Sequence, residues 1–206
     1  MSYKEFCENI GLSVGHTCPT INFVLISIYN YRRAFVPNGY WHIIITSYDR
    51  KPIFIENIDI LRTAFKNTKA IYEFEIIAIC VLPNHIHLIL HPNNIEQYPQ
   101  IISSIKHYFS RNVGQVCPTD NLKIGYKNKR EKGIFQRRYW EHTIRDENEL
   151  NNHINYIHYN PVKHGYVKSV KDWEFSSFHK FVKNGLYDIN WGNNSDIKEI
   201  IDLDFE

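Results

Sequence analysis

Residues 74–90 read FEIIAICVLPNHIHLIL, a nearly continuous apolar run that stops at Pro83-Asn84 and resumes at His85. The first half has the length and composition of a buried strand. Pro83 has no backbone N–H to give a ladder, and Asn84 favours a turn, so the second half is expected to fold back as an antiparallel neighbour. The chain is thereby committed to a sheet. Alternation along the second strand sends Ile86, Leu88 and Leu90 to one face and His85, His87, Ile89 and His91 to the other. The first set is ordinary core. The second sets two imidazoles about 6.5 to 7 Å apart along the strand, a separation from which both can lean onto one ion. H-x-H alone reads more readily as a partly exposed structural pair at a sheet surface, and a third ligand has to come from elsewhere.

The remaining pattern fits around this hairpin. Residues 40–47, rich in β-branched and aromatic side chains, read as a strand. Leu61, Ala64, Phe65, Thr68 and Tyr72 have the spacing of an amphipathic helix over residues 57–72, and Ile101, Ile102, Ile105, Phe109 and Val113 mark a second. Residues 138–144 (RYWEHTI) form a plausible fourth strand. Asp146 with Glu149 three residues on resembles a capping box and opens a helix that Pro161 should stop after Asn160. Strand, helix, strand, strand, helix, strand is the ferredoxin-like plan, here an α+β fold with an antiparallel sheet, helices on it and an added C-terminal helix.

That last helix, ELNNHINYIHYN, separates two faces at about 100° per residue. Leu150, Ile154 and Ile157 make an apolar stripe, while Asn152, His153, Tyr156 and Asn160 share the adjoining side. With the stripe on the sheet, Tyr156 would stand at the edge of the core over the histidine face. A boundary tyrosine with its hydroxyl in water, followed by an asparagine that ends the helix, is the plainer alternative.

Composition limits the function classes. In 206 residues no apolar stretch reaches the 18 or so needed to cross a bilayer, and the start MSYKEFCENIGL has no basic-then-apolar leader pattern, so a cytoplasmic, nucleoid-associated protein is expected. Cys7, Cys18, Cys80 and Cys117 are widely separated and suggest reduced structural thiols. The formal net charge is only +2, but between Lys123 and Arg145 eight Lys/Arg meet only Glu131 and Glu141, interleaved with Tyr126, Phe135, Tyr139 and Trp140. Cations mixed with flat rings suit a single-stranded nucleic acid, although a solvated basic loop has the same composition.

Four segments, PNHIHLIL, GIFQRRYWEHTIRDENEL, NYIHYNPVKHGYVK and DWEFSSFHKF, resemble in order and spacing the REP-associated tyrosine transposases, a branch of the single-tyrosine HUH transposases. The resemblance covers residues 31–191 as one transposase domain, leaving 1–30 as an N-terminal extension and 192–206 as a tail. It implies that His85 and His87 are metal ligands, that Asn160 is a third, polar ligand, and that Tyr156 is the nucleophile. It also implies Mg²⁺ or Mn²⁺ as cofactor, a covalent 5′-phosphotyrosine as intermediate, and single-stranded hairpins of repetitive extragenic palindromes as partners, bound by a monomer or a homodimer. Arg32, Arg33, Lys127, Lys129, Arg130, Lys132, Arg137 and Arg138 are then expected to grip the DNA together with Tyr139. Either Tyr139 or Trp140 stacks on a base or packs in the core, packing being the expectation for Trp140. Two other readings remain: a hairpin-binding protein without catalysis, and a metal hydrolase that would not need Tyr156.

Overall fold

In the computed structural model of the chain, residues 38–113 and 133–192 are described. The elements in order are β1 (Tyr40–Thr46), α1 (Ile58–Lys69), β2 (Phe74–Val81), β3 (His85–Pro92), α2 (Tyr98–Val113), β4 (Trp140–Ile144), α3 (Glu147–Lys163) and α4 (Phe178–Lys183). The four strands form one sheet in the order β2-β3-β1-β4, antiparallel at every pairing. Each helical crossover, β1-α1-β2 and β3-α2-β4, therefore leaves a gap of one strand, which the other unit fills. This is the split βαβ arrangement expected from the sequence.

The sheet is covered on both faces. Trp41, Ile43 and Ile45 of β1 and Ile86, Leu88 and Leu90 of β3 pack with Leu61, Ile101, Ile105 and Phe109 beneath α1 and α2. On the other face, Ala78, Cys80 and Ile89 pack with Leu150, Ile154 and Ile157 of α3 and with Phe181 of α4. Double coverage explains why β2 and β3 are apolar at nearly every position.

Asp146 caps α3, its side chain accepting from the Glu149 N–H at 2.8 Å. The reciprocal half of the box is displaced by one residue: Glu149 accepts from the N–H of Arg145, at 2.6 Å. Pro161 does not stop the helix, contrary to expectation. Proline in the last turn deletes only its own hydrogen bond, and α3 continues to Lys163. The actual stop is Gly165, at φ +72°, where Tyr166 N–H donates to Pro161 C=O at 2.9 Å and Gly165 N–H to Val162 C=O at 2.9 Å. Those two bonds make a Schellman turn.

A segment read only as a motif turns out to complete the sheet. Val81 N–H donates to Phe175 C=O at 2.8 Å, Ser177 N–H to Ile79 C=O at 2.8 Å, and the Trp173 indole to Val81 C=O at 3.1 Å. DWEFSS thus lies along the outer edge of β2, using hydrogen-bonding groups that an open edge strand would expose. Among the described residues no helix is long and apolar enough to cross a membrane.

Candidate metal and tyrosine site

Strand register assembles the site. Residues directly opposite one another share a face, so the α3 side of the sheet carries Thr46 beside His85, then Ile44 beside His87 and Trp140, then His42 beside Ile89 and His142. Three strands thereby contribute histidines to one patch, and α3 lies across it.

His85 and His87 are buried, 2% and 0% exposed, rather than sitting at a sheet surface. They face away from the α1/α2 core, as alternation requires, but into a second core that the strand pattern by itself does not reveal. Their rings are 4.9 Å apart and nearly perpendicular. His85 Nδ1 lies 2.6 Å from Asn84 Oδ1. Since the amide oxygen can only accept, Nδ1 carries the hydrogen and Nε2 keeps its lone pair when His85 is neutral.

Tyr156 is only 1% exposed, its ring 5.7 Å from that of His87 and 6.2 Å from that of His42. The hydroxyl is not in water. Lys163, two turns on, donates from Nζ to Tyr156 Oη at 3.1 Å and lies 4.7 Å from the centre of the ring. Asn160 is fully buried, and its Nδ2 donates to the Tyr156 carbonyl at 3.2 Å. Among the described residues its Oδ1 has no hydrogen-bond partner. One turn further, His164 meets His85 at 5.0 Å between ring centres. Asn160 thus lies on the helix face between a residue that touches His87 and one that touches His85. A buried amide oxygen left unsatisfied is costly, and a place on the helix between the residues that meet His85 and His87 suits a third ligand. The set N, N, O suits Mn²⁺ or Mg²⁺, with room for further oxygen ligands.

Two residues here, His42 and Lys163, escaped the sequence reading, and His153 gains a partner that helical spacing alone does not show. His42, fully buried, approaches His87 and His153 together: its Nε2 is 3.2 Å from His87 Nδ1 and its Nδ1 2.8 Å from His153 Nδ1. Burial, then the neighbouring His87, His153 and His142, holds its pKa well below the usual value. Burial lowers His153 to about 4. Lys163 lies beyond Pro161, where the sequence pattern ends the helix but the structure continues it. The i, i+7 spacing from Tyr156 would have found it.

The expected DNA contacts divide. Arg32, Arg33, Lys127, Lys129, Arg130 and Lys132 lie outside the described residues. Arg137 and Arg138 are exposed, just before β4. Tyr139 and Trp140 lie on opposite faces, and Trp140 is not in the core where packing was expected. Tyr139 packs against the α1/α2 core, whereas Trp140 is 39% exposed on the site's side of the sheet, stacked on His142 at 5.9 Å and edge-on to His42 at 5.3 Å. Neighbouring strand residues point to opposite faces, and only the one on the site's face has an open flank.

An α+β sheet carrying an H-x-H pair beneath a tyrosine helix matches known proteins. The family described as Transposase IS200 like matches residues 35–160. A Haemophilus influenzae protein named as a REP-associated tyrosine transposase is 47% identical over 174 residues, 82% of this chain and 96% of its own length. A REP-associated tyrosine transposase of Escherichia coli is 36% identical over 163 residues, covering 78% of this chain and 89% of that protein. A solved structure of a REP-associated tyrosine transposase bound to a REP hairpin matches with TM-score 0.69 and 35% identity, over 81% of this chain and 93% of that one. The chain belongs to the IS200-like transposase family, in its REP-associated tyrosine transposase branch.

Proposed function

We propose that this protein is a metal-dependent transesterase that cuts and rejoins single-stranded DNA at hairpins of repetitive extragenic palindromes, with Tyr156 as nucleophile. The observation that carries this reading is the buried, unsatisfied Asn160 Oδ1, set between the neighbours of His85 and His87 and one turn from Tyr156. In the reaction Tyr156 Oη forms a bond to phosphorus, and the bond from phosphorus to the 3′ oxygen breaks. The phenol loses its proton, the departing 3′ oxygen gains one, and a 5′-phosphotyrosine remains. Because one phosphodiester replaces another, rejoining needs neither water nor a nucleotide.

Lys163 serves two of these needs. An ammonium donating to Oη favours the nucleophilic, deprotonated oxygen, and the same charge attracts the incoming phosphate. His85, His87 and Asn160 would hold Mg²⁺ or Mn²⁺, which when bound supplies Lewis acidity toward the phosphate oxygens. Trp140, exposed at the flank, offers an unstacked base a flat partner. The test is incubation with Mn²⁺ and labelled hairpin oligonucleotides from the host genome. An SDS-resistant, EDTA-sensitive adduct whose modified peptide contains Tyr156 is expected. Cleavage without an adduct would replace this reading by a metal hydrolase, and binding without cleavage by a hairpin-binding protein.

Arg137 and Arg138 are assigned to DNA phosphates. Replacing both by alanine should weaken hairpin binding and reduce the slope of log affinity against log salt by about 0.7 to 0.9 per arginine. An unchanged slope across a salt titration would remove them from the interface.

A further inference from the structure

Five imidazoles form a continuous file through the protein. Ring centres are separated by 4.9 Å from His85 to His87, 5.4 Å from His87 to His42, 4.9 Å from His42 to His153 and 5.1 Å from His153 to His142. At the far end His142 Nε2 lies 2.9 Å from Glu149 Oε1, and ring nitrogens of His142 and His153 lie with a Glu149 oxygen within 4.8 Å of one another. Glu149 remains ionised. Burial opposes its charge, but hydrogen bonds from the Arg145 side chain and backbone and from His142 outweigh that, holding its pKa at about 2. His142, Glu149 and His153 have the donor types of a metal site, yet Glu149 already accepts from Arg145 N, Nε and Nη2. The trio is better suited to anchor the file than to hold an ion.

Two links of the file, His87 to His42 and His42 to His153, are hydrogen bonds, and their parity makes that segment directional. With one N–H between two ring-nitrogen neighbours, His42 donates to one and accepts from the other. Two arrangements result. In one, His87 Nδ1–H donates to His42 Nε2 and His42 Nδ1–H donates to His153 Nδ1, which leaves a lone pair on His87 Nε2. In the other every bond reverses, and His87 Nε2 carries hydrogen and is no longer a ligand. The Glu149 carboxylate selects between them, because only the first points each N–H dipole toward the negative charge. We infer that His42 and His153, anchored at Glu149, are positioning residues that fix His87 in its Nδ1–H tautomer and so present its Nε2 as a metal ligand. The inference rests on the metal reading of His85, His87 and Asn160, and extends it to residues that touch neither metal nor DNA.

The tautomers are read from long-range ¹H–¹⁵N spectra of the metal-free, ¹⁵N-labelled protein. Hydrogen on His87 Nδ1 is expected in the wild type. His42→Phe, which keeps a flat buried ring but has no ring nitrogen, should release that preference and weaken Mn²⁺ binding, followed by the EPR signal of free Mn²⁺, by about 10- to 100-fold. His42→Gln, whose amide both donates and accepts, should restore the tautomer and most of the affinity. A wild-type His87 with hydrogen on Nε2 overturns the inference whatever the variants do. So does a His42→Phe protein with parental circular dichroism, parental tautomer and parental Mn²⁺ affinity. A wild type that binds no Mn²⁺ would defeat the metal reading instead, and the tautomer would still decide the fate of the relay.

Discussion

Tyr156→Phe is expected to fold like the parent, bind hairpin DNA and form no covalent adduct, with cleavage reduced by roughly 10³-fold or more. The substitution removes one oxygen and keeps the ring that packs on His87 and His42. That oxygen accepts from Lys163, whose side chain is exposed and retains access to water. The loss in stability should therefore stay within about 1 kcal/mol. Chemistry is affected differently, because no other side chain occupies the nucleophile's position on α3. Asn160 lies one turn away but has no nucleophilic oxygen, and Lys163 is an ammonium. Catalysis would fall to whatever water manages, and water leaves no adduct. Parental cleavage by a folded Phe variant would end the tyrosine mechanism outright. A milder defect is expected for Lys163→Met, which leaves the phenol in place and removes the cation that meets it.

Much of this site was legible because strand alternation and helical spacing are local. Once β3 is a strand, His85 and His87 must share a face, and once α3 is a helix, His153, Tyr156 and Asn160 must share another. What alternation cannot give is which strands are neighbours and in what register. His42 was invisible for that reason: its importance comes from lying across from Ile89 and one pair along from His87, a fact of β1–β3 register with no local signature. The burial of His85 and His87 was misjudged for a related reason. Polar residues on one sheet face suggest an open face, and only the packing of α3 and α4 shows it closed. Pro161 misled in the opposite direction, because a rule for helix interiors was applied to a last turn, where the missing N–H costs little. With α3 cut short, Lys163 fell off the helix. The DWEFSS segment has no period of its own and acquires structure only from the β2 edge it covers.

Stability should fall steeply with acid, beginning well above the range in which carboxylates titrate. Burial holds His153 at about 4 and His158 at about 3, whereas both titrate near the ordinary value of 6.5 in the unfolded chain. A depressed folded pKa means that the folded protein refuses protons the unfolded chain accepts. The stabilisation is thus complete above pH 6.5 and is lost as pH falls toward 4 for His153 and toward 3 for His158. Each group contributes up to about 1.4 kcal/mol per pH unit in that window, so from pH 7 to pH 5 the two together should remove about 4 kcal/mol. Against a typical total of about 5 to 15 kcal/mol, this is a large share. Glu149, held at about 2, adds its own loss only below the usual carboxylate range. Urea denaturation at pH 7, 6 and 5 measures the slope directly, and a midpoint that stays flat over those values would refute the assignment of these histidines as neutral. His158 separates the contributions. It lies 2.8 Å from Ser177 Oγ, the hydroxyl that accepts from Ile79 N–H, and is ringed by Phe178, Phe181 and Tyr187. His158→Phe should therefore be accommodated among those rings and flatten the pH dependence by about one proton. The same histidine connects α3 to the segment along β2, so acid should loosen the helix that carries Tyr156 and Asn160 before it dismantles the α1/α2 side of the sheet. Hydrogen exchange at pH 5 should accordingly show α3 and residues 173–178 losing protection ahead of α2.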